Sequence, residues 1–452
     1  MSNLHRRAVL KSLGAGALTL GSIGTAAAGN HHSNGNGNNG QGSDDDLRLF
    51  AEQTVDNSHE LVTQNKYAYV ATGDGFAVAD WRNPGRPETV AEVTVPEETP
   101  DILDVKVEGD LLCVAYNRSP GGLRFYDVSD PTSPQPLSRY DAGSHVHNVF
   151  LEDGYAYLTL ESFSNPACGI VDVTDPEAPT SVGQYTLTDN FPEFGPALTN
   201  VVHDVYVQDD YLYMAFWDAG VVVADVSDKS DPQLVAQFGE APSADEPANL
   251  FDDSGGLIVD NYVEYIKRYY GSPGNAHYVQ PSPDGDHVYV GAETFPGETS
   301  LGDIDGDGEA ETVDVPGVYG GIDVWDVTDY SDPEKVATIE APDVPGAFRT
   351  SHNFDVTNNR LYSSWYEGGV RVHDVTDPSN PEERYAYQED GIQFWTAVRE
   401  RGFTLGGIYG ADSTTGGFVV LHEDRGKKQP PGFDSADAPG EPEMGTPEQA
   451  EQ

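Results

Sequence analysis

One short phrase recurs along the chain and limits the folds open to it more than any other feature. It is a hydrophobic strand that runs into Asp-Val-Ser/Thr-Asp, often followed by Pro. The copies are Phe125–Pro131, Ile170–Pro176, Val223–Asp228, Val324–Asp329 and Val372–Pro378, with weaker versions at Ala77–Pro84 and Val419–Asp424. A repeat of this length, built of short strands and turn signals, indicates one β unit repeated around an axis or along a line.

Each copy belongs to a longer unit that reads as four short strands. An Asp-rich tight turn joins the first two strands, and the Asp-Val-Ser/Thr-Asp segment joins the last two. In that segment Asp can bind the backbone two residues further on, and Pro fixes φ while lacking an N–H donor. Four short antiparallel strands per repeat are one blade of a β-propeller.

The repeats predict an all-β fold, a seven-bladed propeller of four-stranded antiparallel blades over residues 47–425. The blades fall at about 59–97, 102–143, 146–189, 203–241, 277–343, 352–390 and 393–424. The last unit lacks its outermost strand, and the segment Leu47–Glu52 resembles the fourth strands of the other units. We expect this segment to complete blade seven and close the ring, which removes exposed sheet edges.

The strand phrase and its Asp-Pro turn resemble the LVIVD repeat family, and the resemblance covers nearly the whole chain from 59 to 424. The resemblance implies a β-propeller. It implies little about activity, because members of that family mostly lack an assigned reaction.

Two insertions interrupt the repeats, at 242–276 and 296–317. The first has apolar residues at 258, 259, 262, 263, 266 and 270, which is the spacing of a small amphipathic helix between blades four and five. This helix either packs across the propeller or forms a lid over the channel mouth.

The second insertion contains a cluster of acidic residues with the spacing of a calcium-binding loop. The carboxylates are Asp303, Asp305, Asp307, Glu309, Glu311 and Asp314, and Gly308 lies at the sixth position. Calcium prefers several carboxylate oxygens around one tight turn, so this segment resembles the loops of EF-hands and dockerins. No helix pattern flanks it, and an acidic loop without an ion is the alternative.

The two ends of the chain read as targeting and linker segments. Residues 1–28 resemble a twin-arginine signal peptide, with Arg6-Arg7 before an apolar run that ends in Ala26-Ala27-Ala28. Residues 29–46 and 426–452 have few apolar side chains and are predicted to be a disordered linker and a disordered acidic tail. We expect export to the cell surface or beyond, no transmembrane segment in the mature chain, and a monomer.

The charge of the chain indicates the environment in which it functions and excludes one class of partner. With 24 Lys+Arg against 76 Asp+Glu, the formal net charge is −52. Acidity spread along the repeats resembles that of proteins from salt-adapted, haloarchaeal-type microbes, because salt screens the repulsion between carboxylates. Without a basic patch to contact phosphates, nucleic acid is excluded as a partner.

Five histidines occupy the same place, just before or at the start of the first strand of a blade. They are His59, His147, His203, His277 and His352, whereas blades two and seven carry Leu103 and Trp395 there. The first strand of a propeller blade lines the axis, so these imidazoles are predicted to meet at one mouth of the channel. Neutral imidazoles that converge can bind zinc, copper or iron. The alternative is that each His is a structural part of its repeat.

The preferred ligands are the four histidines of adjacent blades, with His59 in a supporting role. Asp204, Glu60 and Asp355 are their candidate carboxylate partners. In having axial histidines on a propeller, the chain is similar to carotenoid-cleaving oxygenases and to methanethiol oxidases of the selenium-binding protein family. Two hypotheses follow: a binding protein for a protein or small-molecule ligand at the channel face, or a metal-dependent oxidase or lyase. The sequence leaves open whether the chain is an enzyme.

Overall fold

The computed structural model confirms the seven-bladed β-propeller, because seven four-stranded antiparallel sheets account for nearly all strands. The structure describes residues 47–96, 100–118, 121–161, 166–194, 201–217, 219–239, 258–271, 275–302, 311–410 and 416–423. The signal peptide, linker and acidic tail predicted from the sequence lie outside these residues.

The strands follow the chain blade by blade, apart from the first, β1 (Leu47–Thr54). Blade one contains β2 (Leu61–Gln64), β3 (Tyr67–Ala71), β4 (Gly75–Asp80) and β5 (Glu88–Thr94). Blade two contains β6 (Val105–Glu108), β7 (Leu111–Tyr116), β8 (Gly122–Asp127) and β9 (Gln135–Asp141). Blade three contains β10 (His145–Glu152), β11 (Tyr155–Glu161), β12 (Ala167–Asp172) and β13 (Thr180–Thr186).

The second half of the ring continues in the same way. Blade four contains β14 (Val202–Gln208), β15 (Tyr211–Phe216), β16 (Gly220–Asp225) and β17 (Gln233–Phe238). Blade five contains β18 (Ala276–Pro281), β19 (His287–Ala292), β22 (Ile322–Asp326) and β23 (Glu334–Ile339). Blade six contains β24 (Phe354–Val356), β25 (Arg360–Ser364), β26 (Val370–Asp374) and β27 (Glu382–Tyr387), and β28 (Phe394–Glu400), β29 (Phe403–Ile408) and β30 (Gly417–Glu423) follow.

The recurrent phrase forms two successive turns between the third and fourth strands of a blade. In blade three, Asp172 Oδ1 accepts hydrogen bonds from the Thr174 N–H (2.9 Å) and hydroxyl (2.6 Å), and Asp175 Oδ1 accepts the Glu177 N–H (3.2 Å). The same bonds recur in blades two, four, five and six. As expected from the sequence, each Asp therefore binds the backbone two residues on, which fixes the path of the turn.

The ring closes as predicted, through pairing between the two ends of the folded chain. Blade seven has the strand order β1-β30-β29-β28, and Leu47 pairs with Glu423 while Thr54 pairs with Gly417. The hydrophobic clusters lie between neighbouring blades, and Leu47 and Leu421 belong to the cluster that joins blades six and seven. Closure therefore supplies both the missing outer strand and one of the contacts between blades.

Both insertions lie on the face where the axial histidines begin their strands. The helix α2 (Val259–Tyr270) connects the last strand of blade four to the first of blade five, and the hairpin of β20 (Gly297–Gly302) and β21 (Glu311–Val315) connects β19 to β22. In an antiparallel blade both connections lie at the end where the first strand starts.

The predicted apolar stripe of α2 is partly buried, through Tyr262, Ile266 and Tyr270, and the helix packs against β21. A short α1 (Leu187–Asn190) and a 3-10 turn (Pro192–Phe194) follow blade three. Within the described residues, no helix is long and apolar enough to cross a membrane.

Ring closure can be tested at Gly417, where β30 meets β1. This residue has φ +127°, and a Cβ there would lie 2.0 Å from the Gln53 carbonyl oxygen. Gly417→Ala should lower the free energy of unfolding by about 2–4 kcal/mol, through backbone strain together with a clash against β1. Denaturant unfolding measures the loss.

The matched control is Gly402→Ala in the same blade. Gly402 also has positive φ (+86°), but a Cβ there would meet nothing within 4 Å. This variant should lose only about 1 kcal/mol. Equal losses in the two variants would contradict the close β1–β30 junction.

Candidate metal centre

The axial residues of several blades lie where the strand register is interrupted. The pairings of β10, β14 and β18 with the second strands of their blades skip residues that include His147, His203 and His277. The pairing of β28 with β29 skips Trp395 in the same way. A β-bulge bends a strand and redirects a side chain, and such bulges are frequent at functional sites. Blades three, four, five and seven therefore each redirect one axial side chain out of the regular strand pairing.

The structure brings the imidazoles of four adjacent blades into contact. The ring centroids are 4.4 Å apart for His147 and His203, 3.9 Å for His203 and His277, and 4.6 Å for His277 and His352. The Trp395 ring continues the series, 4.1 Å from His352.

His59, by contrast, lies against aromatic rings. Its ring centroid is 5.7 Å from Trp395 and 5.3 Å from Tyr409, and all five imidazoles are buried. The convergence expected from the sequence is therefore present in the fold, whereas binding of a metal remains a prediction.

The imidazoles are held by partners in neighbouring blades. His203 Nδ1 lies 3.2 Å from the His277 carbonyl oxygen, and His352 Nδ1 lies 2.7 Å from that of Trp395. His147 Nδ1 lies 3.3 Å from Asn117 Oδ1. A bond at Nδ1 leaves Nε2 as the second donor atom of the ring. These contacts orient the rings across blade boundaries, so they depend on the closed ring and not on the fold of one blade.

Glu293 joins the cluster, and sequence reasoning missed it. Its Oε2 is 3.2 Å from His277 Nε2, and its Oε1 accepts a hydrogen bond of 2.5 Å from the Tyr366 hydroxyl. Among the described residues, His203, His277 and Glu293 form one group of three ligand atoms that all lie within 4.8 Å of one another. The group combines two imidazoles and one carboxylate, a donor set for zinc or iron.

The position of Glu293 explains why it was missed. It follows Ala292, the residue that pairs with Ala276 just before the bulge of His277. The corresponding residues of blades three, four and seven, which follow the partners of Val146, Val202 and Phe394, are Glu161, Trp217 and Tyr409. This position holds Glu in blades three and five but Trp and Tyr in blades four and seven, so repetition gives only a weak signal there. The sequence feature that could have indicated Glu293 is a carboxylate directly after an apolar second strand, a position that is buried in the fold.

Burial sets the protonation of the cluster. Burial, assisted by the neighbouring His277, lowers the pKa of His147 to about 4 and that of His352 to about 3, and holds the pKa of His203 well below its usual range. Burial alone would raise the pKa of Glu293, but His277 and the hydrogen bond from Tyr366 outweigh it and lower that pKa to about 2. Near pH 7 His147, His203 and His352 are therefore neutral imidazoles and Glu293 is a carboxylate, which are the metal-binding forms of these groups.

His277 also has an unused donor. Its Nδ1 is buried and has no hydrogen-bond partner in the part of the chain that the structure describes. Its Nε2 faces Glu293. Buried ring nitrogens without a partner cost free energy, so a ligand that uses this histidine would be stabilising.

A second layer of buried polar residues lies directly beneath the imidazoles, at the next position of the first strands. Asn148 Nδ2 donates to Asp204 Oδ2 (3.1 Å), and Asn353 Nδ2 donates to Glu60 Oε2 (2.5 Å). Asp355, two residues further along, accepts the Arg399 N–H at 2.8 Å. The three carboxylates named as candidate partners of the histidines thus bind amide groups of the channel wall.

One ammonium group compensates this acidic layer. Lys106 forms an ion pair with Asp104, whose other oxygen accepts the Val149 N–H at 2.8 Å. Burial raises the pKa of Glu60 to about 7, and it also raises the pKa values of Asp104 and Asp204. Burial would lower the pKa of Lys106, but the attraction of the three carboxyl groups raises it. Glu60, Asp104 and Asp204 therefore depend electrostatically on Lys106.

The proposed calcium loop is described only in part. Asp303, Asp305, Asp307 and Glu309 lie outside the described residues. Glu311 and Asp314 lie in β21, where they pair with Gly302 and Glu298. The hairpin brings both ends of the acidic loop together, and calcium binding remains a prediction.

Comparison with known sequences agrees with the repeat analysis. The LVIVD repeat model matches residues 57–95, 101–142 and 201–239, which correspond to blades one, two and four. No curated protein matches the chain. The chain is thus a seven-bladed β-propeller that carries LVIVD repeats.

Solved structures support the fold alone. The chain is similar to the RRP9 WD40 repeats, at 11% identity and a TM-score of 0.53, over 83% of this chain and 97% of that chain. It is also similar to the Cps50 (Swd1) β-propeller domain of Myceliophteria thermophila, at 10% identity and a TM-score of 0.52, over 83% and 99% of the two chains. A hypothetical selenium-binding protein from Sulfolobus tokodaii matches at 12% identity and a TM-score of 0.52, over 79% and 90%.

The role of Lys106 gives a prediction for stability. Lys106→Met should lower the free energy of unfolding by about 2–4 kcal/mol, because it leaves buried carboxylates without a counter-ion. Lys335→Met is the matched control, since Lys335 pairs with Asp323 at 3.2 Å but is half exposed. The control should lose no more than about 1 kcal/mol. Similar losses in both variants, measured by denaturant unfolding, would contradict the compensating role of Lys106.

Proposed function

We propose that the protein binds a divalent transition-metal ion at the channel mouth through His203, His277 and Glu293, and that this centre serves a binding function outside the cell. The observation that carries the proposal is the close approach of three donor atoms, all within 4.8 Å, from two adjacent blades. Two of the donors come from bulges at equivalent places, and the third ends the strand beside one of them. His147 and His352 flank the group and complete its surroundings.

The strongest alternative is a structural role for the histidines as part of the repeat. Two observations favour metal binding over this structural role. Blades two and seven form with Leu103 and Trp395 at the axial position, so the blade itself does not require an imidazole. In addition, packing four imidazoles in contact leaves the buried Nδ1 of His277 without a hydrogen bond among the described residues. A purely structural histidine usually satisfies its buried nitrogens.

The donor set indicates the class of metal ion but does not identify one ion. Two imidazoles and a carboxylate suit zinc or ferrous iron, and copper also binds imidazole well. Tyr366 donates to Glu293 and the His277 carbonyl contacts His203, so each of these two ligands has a partner that fixes its orientation. Such outer contacts contribute strongly to metal affinity.

The second candidate function is a metal-dependent oxidase or lyase. The observation that favours it is the number of protein ligands, because three donors leave coordination positions for a substrate, as in catalytic and not in structural zinc sites. Metal analysis of protein purified without an affinity tag separates the two candidates. A redox-active metal that turns over a substrate supports the enzyme, whereas a metal without turnover supports the binding protein.

The setting of this function is proposed from the sequence. The twin-arginine signal supports export to the cell surface or medium. The net charge of −52 supports a salt-rich environment, where salt screens the repulsion between carboxylates. Calcium in the 303–314 loop would stabilise the hairpin on the metal-bearing face. The partner would be a protein or a small molecule that contacts this face of the propeller.

The metal site is tested by removing its ligands. Wild-type protein should bind about one equivalent of Zn²⁺. His203→Ala combined with His277→Ala should abolish binding, and Glu293→Gln should weaken it at least about tenfold, since an amide does not replace a carboxylate ligand. Calorimetric titration and elemental analysis measure both effects.

The control variant is His287→Ala, which removes a partly exposed histidine from the same blade at a distance from the axis. It should bind the metal like the wild type. Circular dichroism should show that all variants keep the propeller fold. Unchanged metal content in the folded double variant would contradict the proposal.

A further inference from the structure

A cavity of about 480 Å³ lies between blades four and five, on the same face as the metal-binding cluster. Its volume is in the range of small-molecule sites, roughly 300–1,000 Å³. Trp217, Tyr319 and Trp325 line it together with aliphatic side chains. Asp323 and Lys335 lie on its outer strands β22 and β23, and Glu340 directly follows β23. The side chain of Val318 also lines the cavity, and it is the most exposed large hydrophobic side chain of the described residues, at 64%.

The inner wall of this cavity carries the candidate metal ligands on its other side. Trp217 stacks on His203 with ring centroids 5.8 Å apart, and its carbonyl oxygen accepts the Ala276 N–H at 3.1 Å. Ala276 lies just before His277 and pairs with Ala292, which lies just before Glu293.

Asn275 completes this shared wall. Its Oδ1 accepts the backbone N–H of Glu293 at 3.2 Å. Each of the three proposed metal ligands is therefore positioned by a residue that lines the cavity. A molecule in the cavity would contact the supports of the metal site without contacting the metal.

The lining favours a ligand with an apolar or aromatic body and one positive charge. Asp323 is already neutralised by Lys335 at 3.2 Å and accepts the Thr338 hydroxyl at 2.6 Å. Glu340 is exposed and forms no ion pair within the described part of the chain, so the mouth has a net negative charge. Aromatic rings and a carboxylate together recognise organic ammonium groups. Of the three aromatic residues that line the cavity, Tyr319 packs on Arg349, Trp325 packs against Phe238 and Trp217 stacks on His203.

We infer that this inter-blade cavity is a binding site for a small organic ammonium compound, and that its occupancy changes the affinity of the neighbouring metal site. The proposed ammonium site is supported by the cavity and its charges alone. The proposed coupling to metal affinity rests on the proposed metal-binding function. Two sites that share one wall are coupled in both directions, because each ligand alters the other's affinity by the same factor.

The binding site is tested with 2-phenylethylammonium as the probe and 3-phenylpropionate as its anionic counterpart, by calorimetry in high salt. The ammonium should bind and the carboxylate should not. Glu340→Lys should weaken ammonium binding about tenfold. Glu334→Lys, at the start of β23 and outside the cavity lining, makes the same charge change and should alter binding less than about twofold. Equal weakening by both variants, binding of both probes, or no binding would overturn the site.

The coupling is tested by titrating Zn²⁺ into the protein with and without saturating 2-phenylethylammonium. The apparent Zn²⁺ affinity should change about fivefold or more. An unchanged Zn²⁺ affinity in protein that binds the ammonium would overturn the coupling. Absence of Zn²⁺ binding under both conditions would overturn the proposed metal function, while the ammonium titration with Glu340→Lys would still decide the cavity site.

Discussion

Closure of the ring by pairing of β1 with β30 is the constraint on which the rest of the structure depends. It joins Leu47–Thr54 to Gly417–Glu423, which are far apart in sequence, and gives blade seven its outer strand. Without it, β30 would expose an unpaired sheet edge, and the two ends of the folded chain would not be joined. The contacts between His203 and the His277 carbonyl, and between His352 and the Trp395 carbonyl, cross blade boundaries. They therefore form only when neighbouring blades are held at fixed angles.

Around the axis, side chains that repeat from blade to blade and side chains that differ between blades have different effects on the candidate metal centre. The bulges that carry His147, His203 and His277 recur because the blades are copies, and they bring like side chains into contact. Burial keeps the imidazoles of His147 and His203 neutral, which reduces the repulsion that a series of charged rings would cause. Glu293 contacts His277 and gives this side of the histidine series a carboxylate. The candidate metal centre thus lies between blades four and five and not at the symmetric centre.

The sequence predicted the features that repetition encodes, and it failed where a single blade differs. The Asp172 and Asp175 turns, the closing role of the segment at Leu47 and the convergence of the histidines follow from comparing copies. Glu293 has no equivalent in blades four and seven, so its contact with His277 required the actual register of β18 with β19. Likewise, Asp204 and Glu60 follow axial histidines in the chain, yet the strand pleat directs them to Asn148 and Asn353. The cavity beside Trp217 depends on the spacing of two blades, which no local pattern specifies.

The central claim is that His203, His277 and Glu293 bind one metal ion together. Anomalous X-ray diffraction from crystals soaked in Zn²⁺ tests it most directly, because the signal locates the ion independently of any activity. We expect a peak at the channel mouth, about 2.0–2.2 Å from one atom of each of the three side chains. A fully soaked crystal with no peak there, with His277 still bound to Glu293 and zinc only on surface carboxylates, would contradict it.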